Sequence, residues 1–137
     1  MIRIAVALMA AAAPASAQTT ITFEFGKSLP LAAGQWSYVA RSTGGEARFG
    51  GHLALLCDKL TRTVTISRTG APVAALTIVT DTQLRTVPPN GRISAYDPLL
   101  DAIAFSRGRF LVTGGSAAVL AVPSWPEAAR AIEDCRK

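Results

Sequence analysis

The stretch HLALLCDKLTRTVTISR, residues 52–68, decides the fold. Leu53, Leu55 and Cys57 alternate in its first half, so a strand places all three on one face. Asp58-Lys59-Leu60-Thr61 has turn composition. From Thr63 the alternation resumes almost perfectly, with Val64 and Ile66 on one side and Thr63, Thr65 and Ser67 on the other. Two runs of period two around a short polar turn predict an antiparallel hairpin with one buried face.

The same signature extends in both directions. Upstream, Ile21, Phe23 and Phe25 alternate with Thr22 and Glu24 and predict a first strand. Trp36–Ala40 and Glu46–Phe49 predict two more, separated by Thr43-Gly44-Gly45, with Gly50-Gly51 allowing a bend. Downstream, Thr69-Gly70-Ala71-Pro72 turns the chain into a β-branched run, Val73–Thr80. Leu84–Val87 stops at Pro88-Pro89-Asn90-Gly91, and Arg92–Tyr96 reads as one more short strand. The pattern then becomes helical. Asp97-Pro98 is an N-cap with proline at the first helical position, opening a short helix near 97–107 that Gly108 ends. Phe110–Thr113 and Ala118–Val122 return to strand around Gly114-Gly115-Ser116. Ser124-Trp125-Pro126-Glu127 has the form of a capping box and opens a helix near 125–136, with Ala128, Ala131, Ile132 and Cys135 on one face. The expected architecture is mainly β (α+β): an antiparallel β-sandwich or partly open barrel with two helices.

Met1–Ala17 has the form of a secretory signal peptide. Arg3 is a minimal positive head, Ile4–Ala13 an apolar stretch of about ten residues, and Ala15-Ser16-Ala17 a small-x-small cleavage site. Cleavage after Ala17 predicts a periplasmic or secreted protein, residues 18–137, forming a single β-rich domain. No cysteine follows the leader to accept a lipid anchor, and no later run reaches the apolar length of a membrane helix. Cys57 and Cys135 are the only cysteines, and in an oxidising compartment an even pair predicts a disulfide. Closing so long a loop is worth roughly 4 kcal/mol in the chain-entropy model. Two cysteines and the single His52 are too few ligands for structural zinc, so no metal and no cofactor are expected.

The whole chain carries a formal charge of +5, and loss of Arg3 with the leader leaves +4. The charge is mostly arginine, scattered singly from Arg41 to Arg136 rather than grouped into a basic run or helix. That distribution predicts no nucleic-acid partner and leaves an anionic surface component possible. Arg107-Gly108-Arg109 is the closest pair and the best anion-binding candidate, although pairing to Asp81, Asp97 or Asp101 is the reading favoured for it.

The segments DPLLDAIAFSRGRFLV (97–112) and VPSWPEAARAIEDCR (122–136), with the Leu-rich strand that ends in Cys57, give the chain a resemblance. It resembles uncharacterised small exported, periplasmic proteins of Gram-negative alphaproteobacteria. The likeness covers most of residues 18–137 and is strongest from Asp97 to Arg136. In architecture the chain is also similar to the invasion-associated locus B family: signal peptide, strands and paired cysteines. The resemblance implies export and carries no activity.

Enzymatic signatures are weak. His52 would need an orienting carboxylate and a nucleophile to serve as a general base, and no Gly-x-Ser-x-Gly elbow surrounds any serine. Asp97 and Asp101, four apart on a helix, could form an acid–base pair, but a cap and a first-turn acid already account for them. Trp36, Tyr38 and Trp125 could line a sugar or peptide groove or belong to the core. The expectation is a non-enzymatic, disulfide-stapled binding or accessory protein of the cell envelope, partnered by an envelope protein or an anionic surface component. A small envelope hydrolase using His52 and an aspartate, and a structural subunit of an envelope or secretion assembly, are the alternatives.

Overall fold

A computed structural model describes residues 11–12, 21–70, 75–114 and 117–137. The cleavage site expected at Ala17, most of the leader, and part of the turns expected at 69–72 and 114–116 lie outside them.

The elements run α1 (Phe23–Gly26), β1 (Trp36–Arg41), β2 (Gly44–Phe49), β3 (Leu53–Asp58), β4 (Thr63–Arg68), β5 (Leu76–Val79), β6 (Leu84–Thr86), β7 (Arg92–Ser94), α2 (Pro98–Ala104), β8 (Arg109–Gly114), β9 (Ala117–Pro123) and α3 (Pro126–Asp134). The strands form two antiparallel sheets, ordered β1-β2-β3-β4-β7 and β6-β5-β8-β9. They lie face to face as a sandwich and do not close into a barrel.

The hairpin at 52–68 is as read. Leu53, Leu55 and Cys57 pair with Arg68, Ile66 and Val64. The Asp58 carboxylate accepts from the backbone N–H groups of Leu60 and Thr61 at 3.0 and 3.4 Å and fixes the turn. Arg62 completes it in the left-handed region, at φ 53°. Its guanidinium reaches the Tyr96 hydroxyl and the Cys135 carbonyl.

The inner face of the five-stranded sheet carries Trp36, Phe49, Leu53, Leu55, Val64 and Ile66, all buried. Against it lie Ile78, Phe110, Val112, Leu120 and Val122 of the second sheet, in one continuous core. Trp36 spans the layers, with its ring centroid 5.6 Å from Phe49 and 6.5 Å from Phe110. The same core takes in Leu99, Leu100 and Ile103 of α2 and Ala128, Ala131 and Ile132 of α3. Cys57 and Cys135 are bonded there with Cα atoms 5.5 Å apart, pinning α3 to β3. Gly44 leaves room for that junction: at φ +145°, its Cβ would fall 2.4 Å from the Cys57 carbonyl oxygen and 2.7 Å from its sulfur.

Two local expectations are corrected. Residues 21–25 do not form a strand. The Thr22 hydroxyl accepts from Phe25 N–H at 3.1 Å and starts the single turn of α1 instead. Gly26 presses so closely on Leu111 that a Cβ would sit 2.2 Å from it. Ile21, Phe23 and Leu29 pack over Val79, Leu111 and Ala121 on the outer face of the second sheet, while Phe25 turns to solvent. The alternation of 21–25 reflects burial of two residues under a turn, not a ladder. The capping box at 124–127 also fails to close. β9 runs on to Pro123, Ser124 N–H donates to the Gly108 carbonyl at 3.1 Å, and the helix cap moves to Trp125, which has no side-chain cap bond. Ser124 Oγ and Glu127 Oε2 are left without a hydrogen-bond partner.

Candidate functional site

Of the four charged candidates of the sequence, Asp97 and Asp101 stand at α2 and take other arginines, Arg107 meets Asp81 as the structural pairing anticipates, and Arg109 is directed away. Asp97 caps the helix, accepting from Leu99 N–H at 2.9 Å. It also takes the Arg85 guanidinium in a two-point contact at 2.5 and 2.8 Å. The Arg85 bond outweighs burial and holds the Asp97 carboxyl below the ordinary aspartate range. Asp101 takes Arg136 in the same way, at 2.7 and 3.2 Å, and so fastens α3 to α2. Arg107 is 90% exposed and stands 3.8 Å from Asp81. Arg109 points elsewhere and donates to the carbonyls of Gly26 and Leu29 at 3.1 and 2.5 Å. It is the clamp that holds α1 on the sheet. Arg109→Ala is expected to cost about 1–2 kcal/mol and to speed amide exchange over 21–29 while β3 and β8 stay protected. Arg107→Ala is expected to stay within about 0.5 kcal/mol of the parent in urea unfolding.

Between the turn at 81–83 and α2 lies an open cleft of 360 Å³ lined by Asp81, Thr82, Gln83, Pro98, Asp101, Ala102 and Phe105. Its apolar wall is the exposed Phe105. Both of its carboxylates face arginines, Asp81 to Arg107 and Asp101 to Arg136, and no histidine or cysteine lines it. Such a surface can hold a ligand by contact.

The remaining candidates sit apart from it. His52 Nε2 lies 3.0 Å from the Ala33 carbonyl oxygen, and its ring stacks on Phe49 at 6.0 Å. No carboxylate hydrogen bonds to it among the described residues. Trp36 is core, its indole N–H donating to the Pro123 carbonyl at 2.8 Å. Trp125 is 43% exposed, ahead of α3. Tyr38 bonds to Asp134 through its hydroxyl, and the Arg130 guanidinium lies 4.0 Å above its ring. No aromatic groove is assembled from Trp36, Tyr38 and Trp125.

Sequence reading missed Glu46. It sits on the outer face of the five-stranded sheet, paired across to Val39 and Leu56, yet is only 4% exposed. Arg41 and Arg48 cover it and both bond its carboxylate. Burial pushes the carboxyl up, but the bonds and charges of Arg48 and Arg41 outweigh it and hold Glu46 below the ordinary range. The available signal was spacing, since Glu46 and Arg48 are two apart on a strand and share a face. Glu46 and Asp97 are both depressed, so their stabilisation is complete above the unfolded carboxyl pKa, near 4. It is lost as the pH falls through the lower folded values. The expected melting temperature is flat from pH 7 to about 5 and falls steeply below about 4, with Asp97→Asn flattening that acid limb in a calorimetric series.

Arginine is therefore used mainly as an internal tie. Arg68 reaches from β4 to the Val112 and Ala118 carbonyls of the opposite sheet. Arg136 adds the Ala95 carbonyl at 2.7 Å. Among the described residues no group of three or more His, Cys, Asp or Glu could hold a metal ion, and no helix is long and apolar enough to cross a membrane. Comparison with protein-family models, with curated proteins and with solved structures finds no match.

Proposed function

We propose that this chain is exported and acts by binding, as a small disulfide-stapled accessory protein of the cell envelope. The observation that carries the reading is the Cys57–Cys135 bond, buried in the core and joining residues 78 apart. Bonds of this kind form and persist in oxidising compartments. The leader-like segment 1–17 and the resemblance to small exported proteins point the same way. Binding is favoured over catalysis because Asp97 and Asp101 are each locked to an arginine, while His52 lies apart on Phe49. The partner is another envelope protein or an anionic surface component.

The test is the intact mass of protein recovered from periplasm, alkylated with and without prior reduction. A chain beginning at Gln18 whose two cysteines react only after reduction is the expected result. An uncleaved chain with freely reacting thiols would overturn the reading.

A further inference from the structure

The two sheets have four edges, and three of them are short or occupied. β6 and β7 are three residues each. The long edge at β9 is engaged: its Ala121 carbonyl accepts from Ala32 N–H at 2.9 Å, its Pro123 carbonyl from the Trp36 indole, and its Ala118 carbonyl from Arg68. β1 differs. It is six residues long and pairs with β2 in unbroken register from Trp36↔Phe49 to Arg41↔Gly44.

The Gln35 carbonyl accepts from Gly50 N–H at 3.0 Å, so odd-numbered positions bond toward β2. By the alternation of an antiparallel ladder, the N–H and C=O of Trp36, Tyr38 and Ala40 face away from the sheet. Among the described residues nothing hydrogen bonds to them. Of the protective devices of edge strands β1 has one charge, Arg41, but no proline, lysine or bulge, and Val39 is 46% exposed.

Charge selects what this edge would accept. On the outer face Arg41 and Arg48 set two guanidiniums against the one carboxylate of Glu46. On the inner face Arg130 lies exposed over Tyr38 with no salt bridge among the described residues. Asp134, the acid beside Tyr38, is taken up by the tyrosine hydroxyl and by Lys137 at 3.6 Å. An added strand would therefore run between positive groups on both faces. A second copy of this chain would bring Arg130 toward its own counterpart, whereas an acidic strand would meet opposite charge.

We infer that the open edge of β1 is a docking site for an extended acidic segment of a partner protein, which adds as a strand beside Trp36–Arg41. Main-chain bonds to Trp36, Tyr38 and Ala40 supply the attachment, and Arg41 and Arg130 select the charge. The inference rests on the binding reading above for the partner's being an envelope protein.

The test uses the full exported chain and two synthetic peptides, acetyl-TEVTVEVT-amide and its lysine twin, acetyl-TKVTVKVT-amide. The acidic peptide is expected to slow exchange of the Trp36, Tyr38 and Ala40 amides by about tenfold or more and to bind less tightly as salt rises. The lysine twin should leave those amides unchanged. Ala40→Pro removes an outward N–H without touching the β2 ladder, so it should abolish the protection. Arg130→Glu does not depend on tolerance of that proline and should shift preference to the lysine twin. Unchanged amides with the acidic peptide, equal binding of both peptides, or self-association of the free chain through this edge in sedimentation would each overturn the proposal. An uncleaved chain with free thiols would overturn the envelope reading, while the amide measurements would stand.

Discussion

Replacing both cysteines, Cys57→Ala with Cys135→Ala, is expected to lower the unfolding free energy by about 3–5 kcal/mol. The bond closes a separation of 78 residues, and the chain-entropy gain grows with loop length. Both positions are buried, so the alanines also lose sulfur packing beside Val64 and Ile132. A domain of this size has a total stability of about 5–15 kcal/mol, so the double variant should stand near the edge of folding at physiological temperature. Urea unfolding of the parent with and without reductant, beside the double variant, measures it. Reduced parent and double variant should share a lowered midpoint. A midpoint equal to that of the oxidised parent would show that α3 docks on β3 without the covalent tie.

Phe49→Ala is expected to cost about 3–5 kcal/mol, because removing a fully buried ring leaves a cavity between the two sheets. Phe49 packs between Trp36 on one side and His52 on the other. Its loss would free the indole that bridges the two sheets, so Trp36 should lose near-ultraviolet dichroism as the midpoint falls. Phe49→Leu keeps most of the volume and should cost less than about 1.5 kcal/mol. A small effect from Phe49→Ala would mean that the neighbouring glycine loop at Gly34 and Gly50 closes over the gap.

What was legible in the sequence follows from how local each signal is. The β3–β4 hairpin was readable because one buried face imposes period two on both strands and Asp58 makes its turn from within it. The start of α2 was readable because Asp97 and Pro98 act on adjacent backbone groups. The disulfide needed only parity and compartment. By contrast, Ile21, Phe23 and Phe25 alternate like a strand, and the Thr22 cap together with the close approach of Gly26 to Leu111 turns the chain there instead. The destinations of the arginines were hidden for the same reason. Arg109 meets carbonyls 83 and 80 positions away, at Gly26 and Leu29, and Arg136 meets Asp101 across 35 positions. The open edge of β1 is hidden most deeply, because which strand ends a sheet depends on the order of all the others.

The position of the disulfide in that order has a consequence for the birth of the molecule. β1 to β4 are consecutive neighbours joined by short turns, and such hairpins pair on microsecond timescales once both strands have emerged. Cys57 is therefore set in its sheet long before Cys135 exists beside it. Until α3 arrives, its thiol waits on an uncovered apolar face, open to mixed disulfides with any passing oxidant. On the export proposed above, the chain would enter its compartment amino-terminus first, and formation of the Cys57–Cys135 bond would report that α3 has docked. A product truncated before α3 would keep Cys57 as a lone thiol on an apolar sheet face that α3 no longer covers.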